Sequence, residues 1–398
     1  MSASWRGFRA VLAHPAVLKA GPALDLFLCR YMRKFRLREV GGHLILHSHL
    51  PPLDSAAFGR FVNEHLTRRN DGPSHAQIAV TSACPQHCDF CYNRDRTGTP
   101  LTRDEILATI DALADAGVFW LGLTGGEPLL AHGLCEIVAH AARRCGVKLF
   151  TTGCRLTPAL AADLKRAGLF SVSVSLDHWD EATHDRGRTY PGAFREALQA
   201  IATFKAAGLD TGVSAVLSKE MIERGEVPRF LAFLEGLGVH EIWLSETKPA
   251  VAHFWDESLL ITDAQRRQLI DLQDRHNRGP GATLNYLGHF ESAEHFGCTA
   301  GRKMIYVDAF GDVSPCVFVP MSFGNVRARP VGEIVAEMRG HFPLSSSCFI
   351  NEHYGLLRPH AGALPVGADR SAEIMRQVRL TPRSRFFGLH EARFGAAG

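Results

Sequence analysis

Between residues 76 and about 246, short β-branched or apolar runs alternate with stretches of helical period, the pattern of repeated strand–helix units around a parallel sheet. Six strands are expected, at roughly 77–82, 118–124, 147–152, 170–176, 211–217 and 240–245. Thr102 followed by Glu105, and Thr157 followed by Pro158, mark helix starts, because a side-chain acceptor there satisfies the free backbone N–H groups of the first turn. An α/β fold follows, with its chemistry at the C-terminal ends of the strands, where the strand-to-helix loops gather.

The chain of 398 residues is 46% hydrophobic and 21% charged, an ordinary globular composition that removes support for disorder or repeat arrays. A formal charge of +3 is too small to require a nucleic-acid partner. No run of eighteen apolar residues exists, and the start lacks the apolar core of a secretory signal, so a cytoplasmic location is expected. In a reducing compartment the ten cysteines are not expected to form disulfides, and their spacing becomes the question.

Three cysteines, Cys84, Cys88 and Cys91, follow the first expected strand as Cys-x3-Cys-x2-Cys. A loop this short brings three thiolates to one face of an iron–sulfur cubane and leaves the fourth iron open. Structural zinc needs four ligands, and the next donor, His87, lies inside the loop. This triplet, together with Gly125-Gly126-Glu127-Pro128 after the second strand, resembles the radical S-adenosylmethionine (SAM) superfamily over residues 76 to about 350. The resemblance implies a partial (β/α)6 TIM-like barrel. It also implies a [4Fe-4S] cluster whose open iron chelates SAM, and one-electron cleavage of SAM to a 5′-deoxyadenosyl radical that abstracts a hydrogen atom from an unactivated carbon.

Further positions match the family residue by residue. Phe90 is similar to the aromatic residue beside the adenine, and Gly125, Gly126 and Glu127 to the loop that receives the methionine ammonium. Ser175 and Asp177 match ribose-binding positions, and Leu244 with Ser245 the segment lining the adenine pocket. Asp185-x2-Arg188-x3-Gly192-x-Phe194 puts Arg188 where relatives often carry a guanidinium on the SAM carboxylate. Where many relatives read Thr-Asn-Gly, this chain reads Thr151-Thr152-Gly153-Cys154, so Cys154 is either a small buried residue or a hydrogen-atom donor.

Cys298 and Cys316, separated by a hairpin-like stretch turning at Phe310-Gly311-Asp312, and then Cys348, resemble the C-terminal SPASM and shortened twitch modules. A full SPASM module has more cysteines, so the resemblance implies one auxiliary [4Fe-4S] cluster of twitch type. Its fourth position is open, or closed by an oxygen or nitrogen donor, or reached by Cys29. Such a cluster would assist electron transfer or bind substrate.

Residues 1–38 hold eight Lys or Arg against the single acidic Asp25. Leu24, Phe27, Leu28, Tyr31, Met32 and Phe35 form a helical stripe opposed by Arg30, Arg33, Lys34 and Arg36. The stripe is expected either to pack on the barrel or to make peripheral contact with an anionic membrane through residues 22–38. The chain thus divides into an N-terminal lead-in (1–75), the barrel (76–261), the auxiliary module (262–354) and a tail (355–398) without clear period. The expected partners are a small-molecule, lipid-like or peptide substrate and a flavodoxin- or ferredoxin-type reductant, with no nucleic acid. A peptide-modifying maturase within the superfamily and a non-catalytic iron–sulfur electron carrier on the same fold are the alternatives.

Overall fold

A computed structural model describes residues 14–395 except 343 and 380. Among the described residues there is a two-stranded sheet and a nine-stranded sheet. The small sheet pairs β1 (Arg38–Val40) with β2 (His43–Ile45). The large one is built on six parallel strands in sequence order: β3 (His75–Ala79), β4 (Trp120–Thr124), β5 (Gly146–Thr151), β6 (Leu169–Ser175), β7 (Asp210–Leu217) and β8 (Glu241–Glu246). These are the six expected strands, with ends moved by a few residues. β9 (Thr283–Tyr286) extends the β8 edge in parallel, and β10 (Met304–Val307) extends the β3 edge in parallel. β11 (Val313–Ser314) turns back on β10 as the outermost strand. β3 and β8 do not pair, so the barrel is open.

The two strand faces serve different purposes. Ile78, Leu123, Leu149, Val172, Val213 and Ile242 face outward and bury against the helices in one continuous core. The alternate residues, among them Gln77, Phe150, Ser214 and Trp243, face an interior cavity. Helix Arg103–Asp115 begins with the expected capping box, Thr102 N–H donating to Glu105 and Glu105 N–H to Thr102 Oγ1.

The base of the barrel is closed by the N-terminal segment. Arg38 binds Asp210 with two hydrogen bonds of 2.8 and 3.0 Å, and lies 3.4 Å from Glu241. Ser48 accepts from the Trp243 indole, the Lys148 ammonium and, through its carbonyl, the Trp120 indole. The helix α1 (Pro22–Met32) buries Leu24, Phe27 and Tyr31. These and Phe35 join one core with Phe290 and Phe296, Phe386 and Phe387. The stripe thus packs on the barrel, the first of the two expectations for residues 22–38, and two of the flanking cations are engaged as well. Lys34 pairs with Asp274 at 3.0 Å, and Arg36 donates to the His276 carbonyl. The described residues contain no helix long and apolar enough to cross a membrane. The tail is more ordered than its composition suggests, with helices Ala368–Met375 and Arg385–Phe394, the latter packed on α1.

Candidate active site

A cavity of about 1260 Å³ opens at the C-terminal ends of the strands. Its wall includes Cys84, Cys88 and Cys91, the Gly125-Gly126 loop, and Cys298, Cys316 and Cys348. The two cysteine sets, more than two hundred residues apart in sequence, therefore face one space.

The glycine pair is required by a close backbone approach. Gly125 has φ +145°, and a Cβ there would collide with the Thr81 carbonyl oxygen; at Gly126 it would meet the Ala83 carbonyl. In place of side chains there are hydrogen bonds from Gly126 N–H to Thr81 (2.8 Å) and from Glu127 N–H to Ala83 (2.7 Å). The loop thus grips the backbone immediately before Cys84. Glu127 itself points away from the cavity. It is fully buried, and its carboxylate accepts from the hydroxyls of Thr151 and Thr152 and from the N–H groups of Thr152 and Leu129. Glu127 was expected at the methionine ammonium; here its carboxylate is engaged by these four bonds, and it is the glycine backbone that borders the cavity.

Arg188 closes the end of helix Glu181–Arg188 and is buried. Its Nε and Nη2 lie 2.7 and 2.6 Å from one Asp177 oxygen, its Nη1 lies 3.9 Å from Cys88 Sγ, and its guanidinium covers the Phe90 ring at 5.3 Å. The other Asp177 oxygen accepts from Val216 N–H at 2.9 Å. Asp177 therefore stands behind Arg188 and off the cavity wall, whereas Phe90, Ser175, Arg188 and Leu244 are on it. Asp185 caps the next segment, accepting from Gly192 and Phe194 N–H, which explains the spacing of that motif. Cys154 is buried off the cavity, its thiol pushed up to about 11 by burial and the nearby Glu196. Of the two expectations for Cys154, its burial and its absence from the cavity wall favour the small buried residue.

Three residues the sequence reading passed over tie the first cysteine loop to its surroundings. Asn93 donates to the Gly125 carbonyl at 2.8 Å and accepts from the Tyr306 hydroxyl of β10. The Tyr92 hydroxyl bonds Thr124 Oγ1, and buried Arg96 pairs with Asp308 at 3.0 Å in the turn after β10. Their position just after Cys91 was the available signal.

The second set is held by the β10–β11 hairpin. Cys298 exchanges backbone hydrogen bonds with Ser345, which brings the segment before β10 against that leading to Cys348. Phe349 N–H points at Cys298 Sγ (3.5 Å) and Lys248 Nζ at Cys348 Sγ (3.6 Å). Lys248 also lies 3.1 Å from Glu246 and 2.6 Å from Glu291. Burial opposes its charge, but Cys348, Glu246 and Glu291 outweigh it and hold the ammonium well above its ordinary range. Cys29, proposed as one route to a fourth ligand, is exposed on α1.

The donor sets fit iron–sulfur clusters. Burial pushes both Cys84 and Cys316 up to about 12, and in each set a neighbouring thiol adds to the shift. Deprotonating three such thiols together calls for a polycationic group among them. Among the described residues no three His, Cys, Asp or Glu side chains converge on a point that could hold a single metal ion. A cubane does not require convergence, since each thiolate binds a separate iron.

Comparison with known proteins agrees with this geometry. The radical SAM superfamily model matches residues 78–231, and the model described as an iron–sulfur cluster-binding SPASM domain matches residues 298–342. The chain is 27% identical over 305 residues to the AdoMet-dependent heme synthase of Methanosarcina barkeri, covering 69% of this chain and 87% of that protein. It is 30% identical over 269 residues to the mycofactocin maturase MftC of Mycolicibacterium smegmatis, covering 64% and 67%. It is also 30% identical over 283 residues to the PqqA peptide cyclase of Streptomyces rochei, covering 66% and 75%. Among solved structures, Streptococcus suis SuiB bound to its precursor peptide SuiA superposes with a TM-score of 0.59 at 15% identity, over 76% of each chain, a likeness of fold. The partial barrel, the loop-borne cysteine triplet and the matched hairpin module together place this chain in the radical SAM superfamily, among its SPASM-containing enzymes.

Proposed function

We propose that Cys84, Cys88 and Cys91 hold the SAM-binding cluster, that Cys298, Cys316 and Cys348 hold the auxiliary one, and that a substrate lies between them. The observation that carries this reading is the single cavity onto which both thiol sets open. With SAM bound, the first cluster supplies a 5′-deoxyadenosyl radical by one-electron cleavage of the sulfonium. The protein's task is to orient SAM and exclude water. Arg188 offers the SAM carboxylate a guanidinium already fixed by Asp177 and Phe90, so little ordering is lost on binding. Gly125 and Gly126 present backbone to the amino-acid end, Ser175 a hydroxyl to the ribose, and Leu244 an apolar wall to the adenine. Lys248, beside Cys348, places a fixed positive charge against the auxiliary site, which favours its reduced state.

Hydrogen-atom abstraction is tested with anaerobic protein, a chemical reductant, SAM and extracts of cells grown in deuterated water. Deuterium is expected in the 5′-deoxyadenosine released with the extract fraction that contains substrate. Release of unlabelled 5′-deoxyadenosine with every fraction would contradict abstraction from a cellular substrate.

The relatives' names divide between peptides and heme, so they do not choose the substrate class.

A further inference from the structure

The cavity continues past the thiol sets. Besides the C-terminal strand ends, it is lined at the opposite ends by Ser74, His75 and Phe119, and beyond them by Leu46, Phe58 and Leu66 of the N-terminal segment. A five-residue strand such as β4 is about 17 Å long at roughly 3.3 Å per residue, so the void runs the length of the barrel. Its volume of about 1260 Å³ also exceeds the roughly 300–1,000 Å³ of a site for one small molecule. With the two clusters and SAM at the end where the cysteines lie, the remaining depth can take an elongated second molecule along the axis.

The wall of the deep lobe tells what that molecule is. Its polar groups are largely taken: His75 Nε2 bonds the His49 carbonyl at 2.8 Å, His65 Nε2 bonds the Gly117 carbonyl at 2.8 Å, and both Trp indoles bond Ser48. Three ring nitrogens, His47 Nδ1, His49 Nε2 and His65 Nδ1, have no partner, nor do the Tyr31 hydroxyl and Asp25 Oδ1, and the Gln77 amide and Ser214 hydroxyl also border the cavity. Phe150 and Trp243 line the lumen, and Lys148 below them is fully buried, covered by both rings and bound to Ser48. A peptide brings one N–H and one C=O per residue, each of which must be bonded when buried. These few scattered groups on a mostly apolar wall cannot meet that need along the length of the lobe, but they suffice for one hydroxyl or similar uncharged group.

We propose that the deep lobe holds the hydrocarbon chain of an acyl- or isoprenoid-type substrate, extended along the barrel axis so that one of its carbons faces the radical. This rests on the radical SAM reading of the upper cavity. The N-terminal segment is then the floor of the substrate site as well as a stabilising cap, because Leu46, Phe58 and Leu66 come from it.

The test uses the full-length reconstituted protein and cis-parinaric acid, a fluorescent polyene fatty acid, as probe. Saturable binding near one equivalent is expected, with displacement by hexadecanol and by geranylgeraniol. Leu50→Trp and Leu66→Trp, both at positions that line the cavity, should each weaken the probe about tenfold or more. Far-ultraviolet circular dichroism and iron content of both variants should match the wild type, which reports that they fold. Absence of saturable binding to the wild type, insensitivity to both filling variants, or displacement by a water-soluble peptide but not by hexadecanol would overturn the proposal. Intact probe binding without any 5′-deoxyadenosine formation would overturn the catalytic reading and leave the hydrocarbon lobe standing.

Discussion

The guanidinium of Arg188 is held by Asp177, the Phe90 ring and the neighbourhood of Cys88 before any ligand arrives. Arg188→Ala should weaken SAM binding about tenfold or more, since losing a hydrogen bond to a charged group costs roughly 1.5–3 kcal/mol, while iron content stays unchanged. Arg188→Lys should not restore it, because a point charge cannot reproduce the planar fork. Titration calorimetry with SAM and an iron assay check both. Unchanged SAM affinity in the alanine variant would contradict the role. Glu127 is expected to behave differently. Glu127→Gln would turn an amide donor toward the Thr151 and Thr152 hydroxyls or the Thr152 and Leu129 amides, costing about 1–3 kcal/mol in urea unfolding. SAM affinity of the folded variant should change by less than about threefold, and a larger loss would return Glu127 to the ligand. The Gly-Gly-Glu-Pro motif was legible as a functional loop, but its mechanics were not. Glycine in a sequence announces that something approaches closely; only the fold reveals that here it is the backbone of Thr81–Ala83.

At the scale of elements, six strands and several helix caps were readable because apolar runs and N-cap residues are local signals. The β10–β11 hairpin was legible from its turn, but β9 escaped, since a four-residue run carries little period, and the parallel pairing of β9 with β8 and of β10 with β3 depends on segments far away in sequence. The stripe of α1 was legible too, but a stripe has the same period whether it meets lipid or protein. Its actual partners, Phe296 and Phe386, come from the other end of the chain. Phe27→Ala should destabilise the fold by about 3–5 kcal/mol, as expected for a buried aromatic reduced to a methyl group. A loss under about 1 kcal/mol in urea unfolding would mean that the stripe is dispensable. The intact protein should remain in the supernatant with anionic vesicles at low salt, and co-sedimentation would contradict the interior placement.

For the whole molecule, the buried histidines at the base of the barrel set the response to acid. Burial pushes His47 and His65 down to about 3 and His75 to about 4, well under the ordinary 6.5. The unfolded chain takes up these protons as pH falls below about 6.5, whereas the folded one refuses them until about pH 3–4. Stability is therefore fully present at neutral pH and is lost on acidification through that window, by up to about 1.4 kcal/mol per pH unit for each histidine. Urea midpoints between pH 7.5 and about 4.5 should fall steadily, and a flat profile would contradict the burial of neutral histidines there. The central claim is that two cysteine sets, brought to one cavity by the barrel and its hairpin module, hold clusters with different duties. It is tested most directly by iron content and 5′-deoxyadenosine formation in the two triple cysteine-to-alanine variants after anaerobic reconstitution. The wild type should bind about eight irons, and each triple variant about four. Only the variant lacking Cys298, Cys316 and Cys348 should still cleave SAM. Persistent 5′-deoxyadenosine formation without Cys84, Cys88 and Cys91 would contradict the account.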